Sequence, residues 1–248
     1  MAKVTSTKKV EVQYHTQLKK GDIGRYVLLP GDPFRTDYIA SFLDDAKLVA
    51  HHREHKSWTG YLDGVKVSVV STGMGCPSTA ICVEELIKCG ADTFIRVGTA
   101  GRVCKKAQSK KIIGCINTAA VRDEGTTSQY IPIEFPAIAD RVVVEALAEA
   151  AKNLNYNFIE GITQSKDSFF GEVDPDSAPI KNELKDHWES LKKANVMSSE
   201  MEAAAIFIIS SIKGCRASSI MSFESMEKTV EVARDAIKLL IKHDKEKK

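Results

Sequence analysis

The chain has 248 residues with 35 Lys+Arg against 33 Asp+Glu, a formal net charge of +2, which is too even a balance for bulk charge to carry it to nucleic acid or an anionic membrane. At 43% hydrophobic and 27% charged residues it has the composition of a globular protein, long enough to bury roughly 70–75% of its unfolded surface. The longest apolar run, Ala203 to Ile209, is far short of the ~20 residues that span a bilayer, and no apolar stretch of a secretory signal follows the basic segment Met1 to Lys9.

Arg25 to Leu29 reads as a strand that stops at Pro30-Gly-Asp-Pro33. A helix is expected from there, with Asp32 as N-cap and Pro33 in its first turn, where a missing N–H costs nothing. Two further strand-like runs, Leu48 to Tyr61 and Val65 to Ser71, flank Asp63-Gly64, a dipeptide suited to a tight hairpin. Thr72-Gly-Met-Gly-Cys-Pro-Ser78 then leads into a helix carrying Ile81, Glu85, Leu86 and Cys89 that stops at Gly90. The next strand, Thr93 to Val97, ends in Gly98-Thr-Ala-Gly101, where short side chains let a ligand approach the backbone.

Strands are expected at Lys111 to Val121 and Asn157 to Thr163, with a helix from Arg141 to Leu154 between them. The irregular stretches Arg122 to Ala137 and Ser165 to Pro179 have lengths typical of binding or disordered segments. The last third reads as helices over Ile180 to Lys193, Glu200 to Lys213 and Glu224 to about His243. The final one sets Met226, Val230, Ala233, Ile237 and Leu240 on one face. Strands alternating with helices predict an α/β protein, one domain over 1–248 with flexible ends at 1–11 and 243–248, built on a central mixed twisted sheet flanked by helices. The six cysteines, Cys76, Cys82, Cys89, Cys104, Cys115 and Cys215, form no CxxC pair and no zinc spacing, and read as free thiols of a cytoplasmic protein.

Candidate chemistry gathers at the strand ends. Gly31-Asp-Pro-Phe-Arg35, Arg53 within His51-His-Arg-Glu-His55, Arg96-Val-Gly-Thr99 and Ser199-Glu-Met-Glu202 supply three arginines and an acid that an open α/β sheet could turn toward one anion. Each has a plainer reading: a lone arginine is commonly a surface ion pair, and Ser199-x-x-Glu202 fits a capping box. Gly73-Met-Gly75 follows a strand but Ser78 occupies the place of the third glycine, so a dinucleotide loop is not expected. No triphosphate-binding GxxxxGK[ST] motif occurs.

Four segments in this order, Pro30-Gly-Asp-Pro-Phe-Arg35, Ser71-Thr-Gly-Met-Gly-Cys-Pro-Ser78, Ile95-Arg-Val-Gly-Thr99 and Ser199-Glu-Met-Glu-Ala203, resemble the nucleoside phosphorylase family, which includes uridine phosphorylases and hexameric purine nucleoside phosphorylases. The resemblance runs from Val12 to about Met221 and resumes in the last helix. His51-His-Arg-Glu-His-Lys-Ser-Trp58 and Lys166-Asp-Ser-Phe-Phe-Gly171 look more like the uridine enzymes. It implies reversible phosphorolysis, in which uridine and phosphate give uracil and ribose 1-phosphate, with inorganic phosphate as co-substrate and no organic cofactor.

In that resemblance Gly31, Arg35, Arg53, Arg96 and Thr99 hold phosphate; His15, Met201 and Glu202 hold ribose; Gly101, Phe169 and Glu172 border the base. Arg35, Arg96 and Glu202 are the catalytic set. His15 and Arg53 match residues lent by a neighbouring subunit, which makes a homodimer the minimal unit and a hexamer the larger assembly the family allows. A monovalent cation beside Glu54 and Ser78 is also allowed. Two departures stand out: Glu172 replaces a glutamine with no arginine after it, and Ala217 to Met221 runs into Ser222-Phe-Glu-Ser225, so that a strand looks truncated and the base-covering flap is missing. The first leaves a purine nucleoside phosphorylase as an alternative, the second a non-catalytic nucleoside-binding protein.

Overall fold

The computed structural model describes residues 11–247; apart from Glu11, the flexible segment expected over 1–11 lies outside the described residues. The chain runs through β1 (Tyr26–Leu29), α1 (Pro33–Ala40), β2 (Asp44–His52), β3 (His55–Leu62), β4 (Val65–Val70), α2 (Cys76–Cys89), β5 (Thr93–Thr99) and β6 (Gly101–Arg102). It continues with β7 (Gly114–Asp123), β8 (Ala137–Ile138), α3 (Arg141–Asn153), β9 (Phe158–Lys166), α4 (Phe169–Val173) and α5 (Lys181–Lys193). β10 (Ser198–Glu200), α6 (Ala203–Lys213), β11 (Arg216–Ser222) and α7 (Met226–Glu246) complete it.

All the strands join one mixed sheet in the order β2-β3-β4-β1-β5-β11-β7-β9-β10-β6, with β8 paired to β7. Its centre, β4, β1, β5 and β11, is parallel, and β1, β5 and β11 are buried almost throughout because helices cover both faces. The alternation of side chains sorts them: Leu28, Ile95 and Val97 pack against Leu147 of α3 and Ile237 and Leu240 of α7, while Val27, Leu29 and Phe94 face Leu86 of α2 and Ile206 and Ile208 of α6. Each such side chain contributes about 1.5–3 kcal/mol on leaving water. The α/β expectation, with a mixed sheet flanked by helices, is met.

Several boundaries are corrected. Leu48 to Tyr61 is two antiparallel strands rather than one, turning at Arg53-Glu54 with Arg53 at φ +54°; no glycine, proline or asparagine marks that turn. The strand that looked truncated is complete. β11 has seven residues and sits between β5 and β7, its serines satisfied by Asn117: Ser218 donates to the backbone carbonyl at 3.1 Å and Ser219 to Oδ1 at 2.7 Å. Only Phe223 to Ser225 separate it from α7, so no flap stands there.

The irregular stretches are ordered. The Arg122 guanidinium gathers the first by donating to Thr127 Oγ1 and to the carbonyls of Ile131, Pro132 and Phe135, at 2.6–2.9 Å. The second holds the end of β9 and the short α4. At the C-terminal end, α7 continues through His243 to Glu246 where a loose end was expected; Asp244 is fixed by Arg216 at 2.7 Å and by the Tyr26 hydroxyl at 2.7 Å.

Candidate active site

The loops leaving β1 and β4 are zipped together, Thr72 N–H donating to the Pro30 carbonyl at 2.9 Å and Gly73 N–H to the Gly31 carbonyl at 3.0 Å. Gly73 has φ +74°, and a Cβ there would lie 2.6 Å from both Glu54 Cγ and Ser78 Oγ, so no other residue fits. Beside this junction, at the C-terminal ends of parallel strands where α/β sheets bind ligands, lies a cleft of about 720 Å³. Most of the expected residues border it: Gly31, Arg35, Arg96 and Thr99 for phosphate, Met201 and Glu202 for ribose, and Gly101, Phe169 and Glu172 for the base.

Arg96 occupies the floor. It is 4% exposed; Nε donates to Glu200 Oε2 at 2.7 Å, Nη2 is ion-paired with Glu202, and Nη1 has no hydrogen-bond partner. That nitrogen stands 3.9 Å from where a Cβ on Gly31 would be. The free donor of a buried guanidinium thus lies next to Gly31, which has no side chain. Arg35 is about a third exposed, and its ion pair to Asp32 is stretched to 4.0 Å, which leaves its charge available.

The capping-box reading of Ser199-x-x-Glu202 fails. Ser199 lies within β10, and Glu202 makes no side-chain cap. Its neighbour Glu200 does that work, accepting from the N–H groups of Glu202 at 2.9 Å and Ala203 at 3.0 Å, while the Ser165 hydroxyl accepts from Ala204 N–H at 2.9 Å. With the helix end satisfied, Glu202 is free to reach the cleft, where Oε1 accepts from Gly75 N–H at 2.7 Å. Burial raises its pKa above the ordinary glutamate value; the Arg96 charge works against that rise, and the nearby Glu200 adds to it.

The opposite wall is a network that the sequence reading did not find. Lys166 Nζ is bonded to the Glu172 carboxylate and donates to Ser199 Oγ at 2.7 Å. The Ser199 hydroxyl lies 2.6 Å from Glu172 Oε2 and 2.9 Å from Gln164 Oε1, and Gln164 in turn bonds Asp123. Phe169, 52% exposed, lies beside it, its ring centroid 5.8 Å from Lys166 Nζ. Glu200 and Lys166 carry no signal of their own in the sequence, because each stands in a motif whose pattern is already accounted for by Glu202 or Phe169.

His15 and Arg53 do not border the cleft. Arg53 is exposed on the β2–β3 turn. His15 is fixed by Glu85, which accepts from its backbone N–H at 3.0 Å and lies 2.8 Å from Nδ1. The His15 carbonyl in turn lies 2.8 Å from His52 Nδ1, so both residues sit on one rim of the molecule. Burial of Glu85 opposes its ionisation, but the N–H groups of Thr16 and His15 outweigh it and hold its pKa below the ordinary value. The cation expectation has its residues together: Ser78 Oγ donates to Glu54 Oε1 at 2.7 Å. Among the described residues no helix is long and apolar enough to cross a membrane.

A buried arginine with a spare donor, paired to an acid at the strand ends of this mixed sheet, is the setting in which comparison with known proteins can be read. The chain belongs to the phosphorylase superfamily, whose family model matches residues 25–240. It is 40% identical to a uridine phosphorylase of Treponema pallidum, over 94% of this chain and 96% of that protein. It is 43% identical to a uridine phosphorylase of Thermococcus kodakarensis, over 95% and 89% respectively. A guanosine phosphorylase of Halorubrum lacusprofundi is 36% identical over 86% of this chain and 83% of its own.

Proposed function

We propose that the protein is a pentosyltransferase that carries out reversible phosphorolysis of a pyrimidine nucleoside, taking uridine and phosphate to uracil and ribose 1-phosphate. The observation that carries this reading is the unpartnered Nη1 of buried Arg96 facing Gly31 beside Glu202. Phosphate docks there, held by Arg96, Arg35, the Gly31 N–H and the Thr99 hydroxyl. Glu202 takes the ribose hydroxyls, with Met201 against the sugar, and its charge stabilises the oxocarbenium character that grows as the bond to the base breaks. Phe169 stacks on the base above Gly101.

Charge supports an assembly larger than one chain. Around the cleft Arg35, Arg96 and Lys166 are outnumbered by Asp32, Glu54, Glu172, Glu200 and Glu202, so a phosphate dianion needs another cation. Arg53 of a second copy supplies it, and His15 reaches the 5′ end of the ribose from the same rim. Val12, Tyr14, Leu48 and Val49 are exposed near it, as an interface requires. A homodimer is the minimal unit; a monovalent cation shared between Glu54 and Ser78 of both copies fits their oxygens. The unpaired thiols suit a reducing cytoplasm.

The test is uracil release from uridine, measured with and without phosphate, together with cytidine, inosine, guanosine and adenosine. Phosphate-dependent uracil release is expected, and none from any nucleoside would end the reading. Similarity to the guanosine phosphorylase gives a purine reading its support; inosine or guanosine cleaved faster than uridine would select it.

A further inference from the structure

The base wall contains a buried ammonium to which the reaction above gives no task. Lys166 is the last residue of β9 and 7% exposed. Two of its three N–H donors are taken by Glu172 and Ser199; the third has no partner among the described residues, and the side chain borders the same cleft as Phe169. Glu172 is bonded only through Oε2. Its Oε1 makes no hydrogen bond and stands 3.3 Å from where a Cβ on Gly101 would be, so it faces space that glycine leaves open. A free acceptor and a free cationic donor therefore lie side by side.

That pair has a chemical complement. Uracil presents a ring N–H next to a carbonyl oxygen, as do hypoxanthine and guanine; cytosine and adenine present a ring acceptor next to an amino donor, which opposes both groups. We propose, on the phosphorolysis reading above, that Lys166 and Glu172 together read the –NH–C(=O)– edge of the base, Glu172 Oε1 accepting the ring N–H and Lys166 donating to the adjacent carbonyl oxygen. As a phosphate oxygen bonds C1′, the C1′–N bond breaks and both its electrons stay with the base. The charge spreads to that carbonyl oxygen, where Lys166 meets it in a desolvated site. The proton that phosphate gives up on becoming an ester balances the base anion on release. Lys166 thus supplies the donor for which the sequence, with no arginine after Glu172, offered no candidate.

The experiment compares wild type with Lys166→Met and with Lys166→Met/Glu172→Gln, which removes both charges together and so leaves no stranded carboxylate to disturb folding. Wild type should favour uridine over cytidine by more than about 100-fold in kcat/KM. Both variants should lose about 10²–10³-fold in kcat on uridine, and less on 5-fluorouridine, whose base is the more stable anion. Equal losses on the two nucleosides, unchanged kcat, or equal wild-type use of uridine and cytidine would overturn the proposal. Should no nucleoside be cleaved, the phosphorolysis reading falls by itself, and calorimetry decides the pair. Uracil bound in preference to cytosine, with the preference lost in both variants, upholds it; equal binding overturns it.

Discussion

Arg96 and Glu202 are ion-paired on the floor of the cleft, so the group proposed to meet phosphate and the group proposed to grip ribose hold each other before either substrate arrives. Glu200 is bound to the same guanidinium. Removing that cation strands two buried carboxylates, which costs about 3–5 kcal/mol. Arg96→Ala should therefore be inactive and also strongly destabilised. Arg96→Lys keeps the charge but loses the spare donor. Phosphate should raise the Tm of wild type through binding and leave that of Arg96→Lys unmoved. Thermal denaturation with and without phosphate checks this, and an equal rise in both proteins would remove Arg96 from the phosphate seat.

Gly31 offers a cleaner separation of site from fold. Its backbone is not in the left-handed region, and an added methyl would meet the Gly73 carbonyl oxygen at 3.3 Å and Arg96 Nη1 at 3.9 Å. On the proposed reading the methyl takes the space that the anion needs, and its one tight contact is with that carbonyl oxygen. Gly31→Ala should fold with stability within about 1 kcal/mol of wild type and show a KM for phosphate raised at least about tenfold. Steady-state kinetics at varied phosphate, alongside denaturant unfolding, make the comparison; an unchanged KM would place the anion elsewhere.

Glu202 links activity to pH. Burial lifts its pKa above the ordinary value of 4.5, so the folded state holds this proton more tightly than the unfolded chain. The stability it contributes is present at low pH and declines as pH rises from 4.5 through the raised folded value. Gripping ribose needs the anion, so kcat/KM should rise across the same window, on a limb above the ordinary glutamate range. Glu202→Gln should flatten that decline in stability and lower kcat by more than about 100-fold. A limb at or below 4.5 in the kcat/KM profile would contradict the assignment.

Much of the parallel core was legible because its signals are local. Pro30 to Pro33 stops a strand and starts a helix within four residues, with Asp32 accepting from Phe34 N–H at 2.9 Å as expected. The turn at Arg53-Glu54 was not legible, since left-handed backbone at an arginine has no compositional mark and is held by pairing across β2 and β3. The completeness of β11 was hidden for a related reason: its serines look like loop residues until Asn117, about 100 residues away, supplies their partners. The arginine and glutamate side of the site could be read from motifs. The Lys166–Glu172 pair could not, because its members gain meaning only when α4 folds back on the end of β9.

Asp244 tests another region where local signals pointed the wrong way, a charged end that turns out to be anchored. Burial opposes its ionisation, but hydrogen bonds from Arg216, Tyr26 and His243 outweigh that and hold its carboxyl well below the ordinary value of 3.8. A depressed folded pKa means stability that is fully present above 3.8 and is lost as pH falls through the lower folded value. Asp244→Asn should cost about 2 kcal/mol at neutral pH, with the gap to wild type narrowing below the ordinary value. Nucleoside cleavage should be unchanged, since Asp244 binds the outer ends of β1 and β11 and does not border the cleft. Denaturant unfolding across pH measures the gap; a difference that persists undiminished in acid would mean that the amide perturbs packing rather than the ion-pair network.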